Sequence, residues 1–363
     1  MTIYIILAIL TCTMALFVQK KNKVKGLIDD RAYRTKGELW NIAFVSAIFF
    51  LLFLVSALRI AIGHDYWEYT SIFSLIAQNR HVSTEFGFNL LVRLCQWIFG
   101  EGNYIIIFAI IAFSTILFFL KGIYENTDQF AMAFFLFMTF GYYLSSFNSI
   151  RYYLVLAIAF YSVKYLLDKQ YDKFVLCILL ASTMHMAVLF VLLAYPLALI
   201  RWKKWMIPIV SAFVASLIFL PNLYRRIIFL FYPFYENSVY DTGETSIIQI
   251  ARCIGVLAFS LIFYKKALKG NRKNMFYFNL SVEALVVYAC CSFIPVVSRI
   301  GFFLNIYQIL LIPAVLETIE KKWLRNLLTA GVVIAGIGYF ALFLRSCMDD
   351  GTRIVPYLNW ILN

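Results

Sequence analysis

Residues 39–58, LWNIAFVSAIFFLLFLVSAL, form an apolar run without a single charged side chain. A helix of this length rises about 30 Å, which matches the hydrocarbon thickness of a bilayer. Basic residues crowd the N-terminal side of the run, from Lys20 to Lys36, and Arg59 follows it directly. The run therefore predicts a transmembrane helix with a strongly basic segment at one end.

The composition of the whole chain agrees with this prediction. Hydrophobic residues make up 63% of the 363 residues, charged residues make up 14%, and the mean hydropathy is +0.82. These values are typical of an integral membrane protein. The net charge of +13 lies in short loops between apolar runs, which favours contact with anionic lipid headgroups and argues against a nucleic-acid partner. The first 18 residues lack a basic region and a cleavage site, so we expect a transmembrane helix rather than a removed signal peptide.

Hydropathy predicts an all-α polytopic integral membrane protein with about ten transmembrane helices. The predicted spans are 2–18, 39–58, 103–120, 129–147, 152–168, 206–220, 246–264, 275–294, 300–318 and 327–344. Segment 174–200 has basic residues on both flanks, which predicts a broken or re-entrant helical hairpin. Segment 86–99 is apolar but short, which predicts an interfacial helix. We expect residues 1–363 to form a single integral membrane domain.

Lysine and arginine are distributed differently along this chain. All 17 lysines can be assigned to one side of the membrane, whereas ten of the 15 arginines fall on the other side. Because basic residues gather in cytoplasmic loops, the lysine side is predicted to be cytoplasmic. Segments 59–102, 221–245 and 345–363 are then external. Arginines clustered on an outer face are typical of sites that bind phosphate or carboxylate groups.

His185 lies at the predicted break of the membrane hairpin, within LLASTMHMAVLF. An ionisable side chain at this depth is costly and usually serves a functional site. The alternative is a packing histidine that bonds a neighbouring carbonyl. Because the ordinary pKa of histidine is near neutrality, His185 is a candidate general base.

Two arginines stand at the outer ends of predicted helices. Arg151, close to Asn148, and Arg299 each precede an apolar span, where free N–H groups of the helix would also face an anion. The alternative is a snorkelling arginine that only marks the end of a span. Arg252 and Glu283 lie within spans, and we expect them to form a structural ion pair between adjacent helices.

The external segments carry further candidates. The stretch RIAIGHDYWEY contains Arg59, Asp65 and Tyr66. Its carboxylates could bind sugar hydroxyls and the ring of Tyr66 or Trp67 could stack on a sugar face, or the stretch could belong to an interfacial aromatic belt. The closing stretch TRIVPYLNW carries Arg353 and Tyr357 on a tail that can fold back over the outer face. The sequence has no metal-ligand spacing and no nucleotide-binding motif, so no metal and no cofactor are expected.

Several of these stretches occur in an order that resembles a known family. They are GHDYWEY, EFGFNLL, FNSIRYYLVLAIAFYSVKYLLDKQYDKFVLCILLASTMH, SRIGFFLNIYQILLIP and IVPYLNW. The ordered set resembles the EpsG family of exopolysaccharide membrane proteins, which are similar to Wzy-type O-antigen and capsule polysaccharide polymerases. This chain departs from the family at His64, where a small polar residue is usual before the Asp-Tyr pair.

The resemblance implies a glycosyltransferase in the bacterial plasma membrane. Such proteins join oligosaccharide repeat units carried on undecaprenyl pyrophosphate at the outer face, in some cases with a chain-length regulator protein. The positions that match the family's motifs are Asp65, Tyr66, Glu85, Arg151, His185, Arg299, Pro356 and Tyr357.

This chemistry assigns roles to the candidate residues. Transfer from a lipid pyrophosphate needs a base for the attacking hydroxyl and cations for the leaving group, which arginines can supply without a metal. His185 is the predicted base, with Asp65 or Glu85 as alternatives. Substrate binding is assigned to Arg151, Arg299, Arg59, Arg353, Tyr66, Asn148 and Tyr357. A single displacement would invert the anomeric carbon. The competing functions are a flippase or transporter of the lipid-linked oligosaccharide and a membrane O-acyltransferase acting on polysaccharide.

Overall fold

The computed structural model describes residues 1–19, 36–231, 236, 246–294, 297–348 and 353–360. These residues divide into two compact units, of which the first contains Met1–Val188 and Lys321–Asn363 and the second contains Leu189–Glu320. The described residues are almost entirely helices and connecting turns, so the predicted all-α class is confirmed for this part of the chain.

The first unit contains ten described helices. In chain order they are α1 (Thr2–Leu16), α2 (Lys36–Ala57), α3 (Tyr66–Ala77), α4 (Phe86–Phe99), α5 (Tyr104–Asn126), α6 (Phe130–Thr139), α7 (Tyr142–Ser145), α8 (Ile150–Leu167), α9 (Tyr171–Ser182) and, after the second unit, α18 (Lys322–Ser346). Helix α5 packs against both α2 and α8. A Cβ atom at Gly122 would lie 2.5 Å from the Phe160 ring, so glycine allows the close approach of α5 and α8.

The second unit begins in a 3₁₀ turn, Met186–Phe190, which crosses the division between the units. Its helices are α10 (Val191–Ala198), α11 (Met206–Phe219), α12 (Pro221–Phe231), α13 (Ile247–Ile262), α14 (Tyr264–Ala267), α15 (Arg272–Cys290), α16 (Val297–Asn305) and α17 (Gln308–Glu317). Helix α15 packs against α10, α13 and α16.

Five stretches of the described chain are long and apolar enough to cross a membrane. They are Lys36–Ala57, Tyr104–Asn126, Ile150–Leu167, Arg299–Glu317 and Lys322–Ser346. All five coincide with predicted spans. The other predicted spans also contain helices, but α1, α6, α11 and α13 are shorter than an ordinary crossing and α15 is more polar. The five clear spans establish a multi-pass membrane protein, and the total of about ten stays a prediction.

Predicted span 129–147 is interrupted. Helix α6 ends at Thr139, and Gly141 has a left-handed backbone with φ of +79° before α7 begins. A Cβ atom at Gly141 would lie 2.7 Å from the Phe343 ring of α18. Glycine therefore permits both the turn and the close contact, so α6 and α7 do not form one continuous helix.

Both segments for which the sequence predicts irregular membrane elements contain short helices. Helix α4 occupies Phe86–Phe99, the predicted interfacial segment. In the predicted hairpin 174–200, α9 ends at Ser182 and the 3₁₀ turn begins at Met186, so His185 lies in the break between them. Helix α3, which follows the GHD stretch, was not predicted.

External segment 221–245 contains a helix that the sequence analysis did not predict. Helix α12 starts at Pro221 and turns by 83° from the axis of α11. The Ser216 and Tyr224 hydroxyls lie 2.6 Å apart across this bend, and the Tyr224 ring stacks on Phe293 with centroids 5.9 Å apart. The later part of this segment lies outside the described residues, apart from residue 236, as do 20–35, 349–352 and 361–363.

Residues 353–360 fold back over the end of α2, as the sequence predicts. The backbone N–H of Ile60 donates to Leu358 O at 3.1 Å, and that of Gly63 donates to Arg353 O at 3.0 Å. From α1, the Tyr4 hydroxyl donates to Ile354 O at 2.8 Å. The tail is therefore fastened to residues from the beginning of the chain.

Replacement of Gly63 by alanine tests this arrangement. Gly63 has φ of +96°, and a Cβ atom there would lie 2.5 Å from the Phe147 carbonyl oxygen. We expect Gly63→Ala to lower the free energy of unfolding by about 1–3 kcal/mol, because neither the backbone nor the carbonyl can relax cheaply. The measurement is the thermal unfolding midpoint of the purified protein in detergent.

Gly102→Ala is the matched control, since nothing lies within 4 Å of the added Cβ atom. It should leave the midpoint close to that of the wild type. Equal midpoints for the two variants would show that the loop at Gly63 does not press against Phe147.

Candidate functional site

Glu85 is the meeting point of three separate parts of the chain. Its carboxylate accepts a hydrogen bond from the Arg151 guanidinium and lies 2.8 Å from His185 Nδ1. It also accepts from the backbone N–H of Met186 at 3.0 Å. We name Glu85, Arg151 and His185 the Glu85 cluster. Because a carboxylate only accepts hydrogen bonds when ionised, Nδ1 of His185 carries the proton and Nε2 is left as the second ring nitrogen.

Local structure brings Glu85 to His185. Glu85 directly precedes α4, and the first N–H groups of that helix donate to the Thr183 carbonyl, from Gly87 at 2.9 Å and from Phe88 at 3.3 Å. A Cβ atom at Gly87 would lie 2.3 Å from Thr183 Oγ1. The glycine of the EFG stretch is therefore required for the N-terminus of α4 to reach the break after α9.

Arg151 lies in the first turn of α8, between the carboxylate and an aromatic wall. Its guanidinium carbon lies 5.1 Å from the centroid of the Phe88 ring and 5.9 Å from that of Tyr69. The side chains of Arg151, Glu85 and His185 are 18%, 15% and 17% exposed. This partial burial strengthens the ion pair relative to a surface pair, and it gives Arg151 an internal anionic partner.

The surroundings of Glu85 keep its carboxylate ionised. Burial alone would raise its pKa, but the hydrogen bond from His185, the Arg151 charge and the Met186 N–H outweigh burial and lower the pKa to about 2. A carboxylate this acidic is a poor proton acceptor near neutral pH. It is well suited to orient His185 and to stabilise the imidazolium, so His185 is a better base candidate than Glu85.

Asp65 and Asn148 join two loops next to this cluster. The Ser149 hydroxyl donates to Asp65 Oδ2 at 2.8 Å, and the backbone N–H of His64 donates to Asn148 Oδ1 at 2.8 Å. These bonds place the GHDYWEY stretch beside the FNSIR stretch, which also carries Arg151. Asp65 and Asn148 therefore have clear roles in holding the loops together.

Tyr66 does not offer a stacking surface for a sugar. Its side chain is 4% exposed, and its ring stacks on Phe108 with centroids 4.8 Å apart. The predicted sugar-stacking role of Tyr66 is therefore wrong, because helix α3 directs this ring into the core. The neighbouring Trp67 is 58% exposed and is the accessible aromatic residue of the stretch.

Arg59 is a buried cation rather than an exposed anion-binding residue. It is 2% exposed, its Nη1 donates to Ser56 Oγ at 3.0 Å, and its guanidinium faces the rings of Phe147 and Phe108 at 4.9 and 5.3 Å. Burial lowers its pKa to about 10, with neighbouring tyrosines opposing the shift, so it stays protonated at neutral pH. The predicted contact of Arg59 with substrate is wrong because the folded tail and the aromatic rings enclose it.

Tyr357 lies in the tail that covers Arg59. Its hydroxyl donates to Val55 O at 3.0 Å, and its ring lies edge-on to Tyr4 with centroids 5.7 Å apart. In this arrangement Tyr357 fastens the tail to α2. Arg353, at the start of the described tail, is exposed and has φ of +48°.

The remaining candidates lie in the second unit. Arg299 begins the apolar stretch Arg299–Glu317, as predicted. Arg252 of α13 and Glu283 of α15 lie on helices that pack together, but no salt bridge joins them among the residues that the structure describes. The predicted pair is therefore not formed, because packing of two helices does not fix which of their side chains face each other. In the described ranges no group of three His, Cys, Asp or Glu residues is arranged to hold a metal ion.

Comparison with known proteins identifies the family. The sequence profile of the EpsG family matches residues 42–359. The chain belongs to the EpsG family. No curated protein and no solved structure matches it. Membership of the EpsG family makes this an exopolysaccharide-related membrane protein, and the matched region contains the whole Glu85 cluster.

The central contact of this EpsG-family protein was not predicted from its sequence. His185, Arg151 and Glu85 were each proposed, but as separate base and anion-binding residues rather than as one cluster. Glu85 is separated by 66 positions from Arg151 and by 100 from His185. One feature of the sequence did point to this contact. A carboxylate directly before an apolar helix, such as Glu85, needs a partner for its charge.

The pH dependence of stability tests the Glu85 cluster in this EpsG-family protein. The pKa of Glu85 falls from 4.5 to about 2 on folding, so its ionised form stabilises the protein above about pH 4.5. That contribution is lost as the pH falls from about 4.5 towards 2. We expect Glu85→Gln to destabilise the protein at pH 7 by up to about 3 kcal/mol, since one pKa unit corresponds to about 1.4 kcal/mol.

The measurement is the unfolding midpoint of wild type and variant between pH 7 and pH 3. The difference between the two proteins should shrink below about pH 4.5. Glu101→Gln, at an exposed turn before α5, is the control and should track the wild type at every pH. A constant difference between wild type and Glu85→Gln across this range would contradict the ion-pair assignment.

Proposed function

We propose that this EpsG-family protein is a polysaccharide polymerase. It is a glycosyltransferase that joins oligosaccharide repeat units carried on undecaprenyl pyrophosphate at the outer face of the plasma membrane. The observation that carries the proposal is a histidine at a helix break whose Nδ1 is bonded to an ionised, arginine-paired carboxylate. Family membership supports the exopolysaccharide context of this site.

In the proposed reaction His185 acts as the general base. A sugar hydroxyl of the acceptor attacks the anomeric carbon of the donor and gives its proton to Nε2 of His185. The bond from that carbon to the pyrophosphate oxygen breaks, and a glycosidic bond forms in a single displacement that inverts the anomeric centre. Glu85 stabilises the resulting imidazolium through Nδ1, and Arg151 keeps Glu85 ionised.

The leaving pyrophosphate gains negative charge in this reaction. Fixed guanidinium groups can stabilise that charge without a metal ion, because they present donors in a geometry that matches phosphate oxygens. Arg151 of the Glu85 cluster is the proposed pyrophosphate-binding residue, with the exposed Arg353 assisting. Arg299, at the start of a span in the second unit, stays a separate prediction. Arg59 is removed from this set because it is enclosed by aromatic rings.

The competing functions differ in what they require of the cluster. A flippase forms no bond and needs no base, so an anchored histidine favours a transferase over a flippase. An O-acyltransferase would also use a histidine, and only its product distinguishes it. Lys169 and Lys173 lie at the N-terminal end of α9, and His185 follows its C-terminal end. If all lysines are cytoplasmic, the end of α9 that carries His185 faces outward, which supports an outward-facing site.

Loss of His185 tests the proposal directly. In vesicles that contain the purified protein and lipid-linked repeat units, the wild type should produce a ladder of multiples of the repeat on a gel. His185→Ala should reduce the initial rate by about 10²–10⁴-fold, the usual contribution of a general base. His81→Ala, an exposed histidine between α3 and α4, is the matched control and should make normal ladders.

Three outcomes would contradict the proposal. Repeat units that change leaflet without growing would identify a flippase. Units that gain acyl groups without growing would identify an acyltransferase. Normal ladders from a membrane-inserted His185→Ala protein would show that another residue is the base.

The role of Glu85 gives a separate kinetic prediction. Glu85→Gln keeps the size of the side chain but removes the charge that fixes the His185 tautomer and stabilises the imidazolium. We expect the turnover rate to fall by about 10²–10⁴-fold, as when the carboxylate partner of a catalytic histidine is neutralised, with little change in the KM for repeat units. The initial rate of ladder formation measures this, with Glu101→Gln as control. A raised KM at an unchanged turnover rate would instead assign Glu85 to substrate binding.

A further inference from the structure

A cavity of about 280 Å³ lies between α2 and α5, outside the Glu85 cluster. Helices α2 and α5 pack against each other and both belong to the clear membrane spans. The cavity has an almost entirely apolar wall, and side chains such as Phe113 and Lys121 at its edge are exposed. It is therefore a groove that opens towards the surroundings of the helix pair, and we name it the α2–α5 groove.

The chemistry of the groove changes along its length. One end is polar and carries Asn41, Lys121 and Tyr124. The other end is closed by Phe49 and Phe113, whose rings meet edge to face with centroids 5.0 Å apart. Eight residues of α5 separate Lys121 from Phe113, a rise of about 12 Å, close to half of the hydrocarbon thickness of a bilayer.

Among the described residues, the Lys121 ammonium group at the polar end has no acidic partner. The nearest acid along α5, Glu125, is bound by Lys164 at 2.5 Å. No carboxylate in the described ranges lies within ion-pair distance of Lys121, and its side chain is exposed. Lys121 therefore offers an unneutralised positive charge at the mouth of an apolar groove.

Asn41 gives the polar end a fixed shape. It is 3% exposed, accepts from the backbone N–H of Gln19 at 2.7 Å and donates back to Gln19 O at 3.0 Å. These bonds tie the end of α1 to α2 beside the groove. The mouth is thus held by three helices, while Lys121 remains able to meet a ligand.

We propose that the α2–α5 groove binds one anionic phospholipid of the surrounding leaflet. The phosphate pairs with the Lys121 ammonium, and one acyl chain lies between the helices with its buried part ending at Phe49 and Phe113. At about 30 Å³ for each water-sized group, the cavity holds roughly nine methylene groups. The charge of Lys121 selects an anionic headgroup over a zwitterionic one. By the lysine topology this leaflet is the cytoplasmic one, so the lipid site is independent of the proposed transferase site.

The test is native mass spectrometry of the full-length protein, titrated with phosphatidylglycerol and with phosphatidylcholine of the same acyl chains. The wild type should retain one phosphatidylglycerol in preference to phosphatidylcholine. Lys121→Gln should lower the apparent affinity for phosphatidylglycerol about fivefold, the scale of one basic side chain at an anionic membrane, and should leave phosphatidylcholine unchanged. Lys121→Arg should keep the preference.

Two controls separate the groove from general attraction to basic loops. Lys203→Gln removes an exposed lysine that is predicted to lie on the same side but is not part of the groove, and it should not change phosphatidylglycerol binding. Val45→Phe fills the groove and should weaken phosphatidylglycerol binding although Lys121 is intact. Its unfolding midpoint shows whether this variant is folded. If it is not folded, the Lys121 variants alone test the proposal.

Equal binding of the two phospholipids by the wild type would overturn the proposal. So would equal losses in Lys121→Gln and Lys203→Gln. Undecaprenyl phosphate is a third probe, because it carries a phosphate group on an isoprenoid chain. Stronger binding of this probe than of phosphatidylglycerol would also overturn the assignment to a phospholipid.

Discussion

A carboxylate that leaves water for the interior of a membrane protein must be paired, and the pairing of Glu85 determines much of the first unit. Its three partners are the Arg151 guanidinium, the His185 ring and the Met186 N–H. They come from the start of α8 and from the break after α9, while Glu85 itself begins α4. One negative charge therefore fixes the relative positions of three helices, and the proposed general base depends on the resulting geometry.

Arg59 meets the same constraint in a different way. It is 2% exposed, but its neighbours are the faces of aromatic rings and the oxygens of Ser56 rather than an acid. A cation over the face of an aromatic ring is attracted to the ring electrons, and this attraction offsets part of the cost of removing the charge from water. The two arginines were alike in the sequence, where both stood at the outer ends of apolar runs, and only their neighbours distinguish a cluster member from a structural cation.

Features that depend on local sequence could be predicted, whereas those that depend on distant contacts could not. The length of apolar runs located the five clear spans, the short helix α4 and the break at His185. Hydropathy could not locate α12, because two arginines interrupt the apolar residues of this helix. The helix also begins at Pro221, a residue type that is equally common in loops. Hydropathy could not show that Tyr66 turns inward, that Arg252 and Glu283 do not pair, or that Glu85 joins two residues far along the chain. Those outcomes depend on how helices rotate about their own axes when they pack.

The folded tail sets an order of events during synthesis. The Tyr4 hydroxyl bonds to a carbonyl 350 positions later in the chain, at Ile354. At about 5–20 residues per second, a ribosome needs roughly 20–70 s to make the intervening residues. From its own synthesis until the tail is made, the Arg59 guanidinium lacks its cover, and the loop that carries Asp65 lacks the backbone partner that Gly63 finds in Arg353. Residues 353–360 thus complete a region that began with α1. A nascent chain that has not yet reached them leaves the Arg59 cation without its cover at the end of α2.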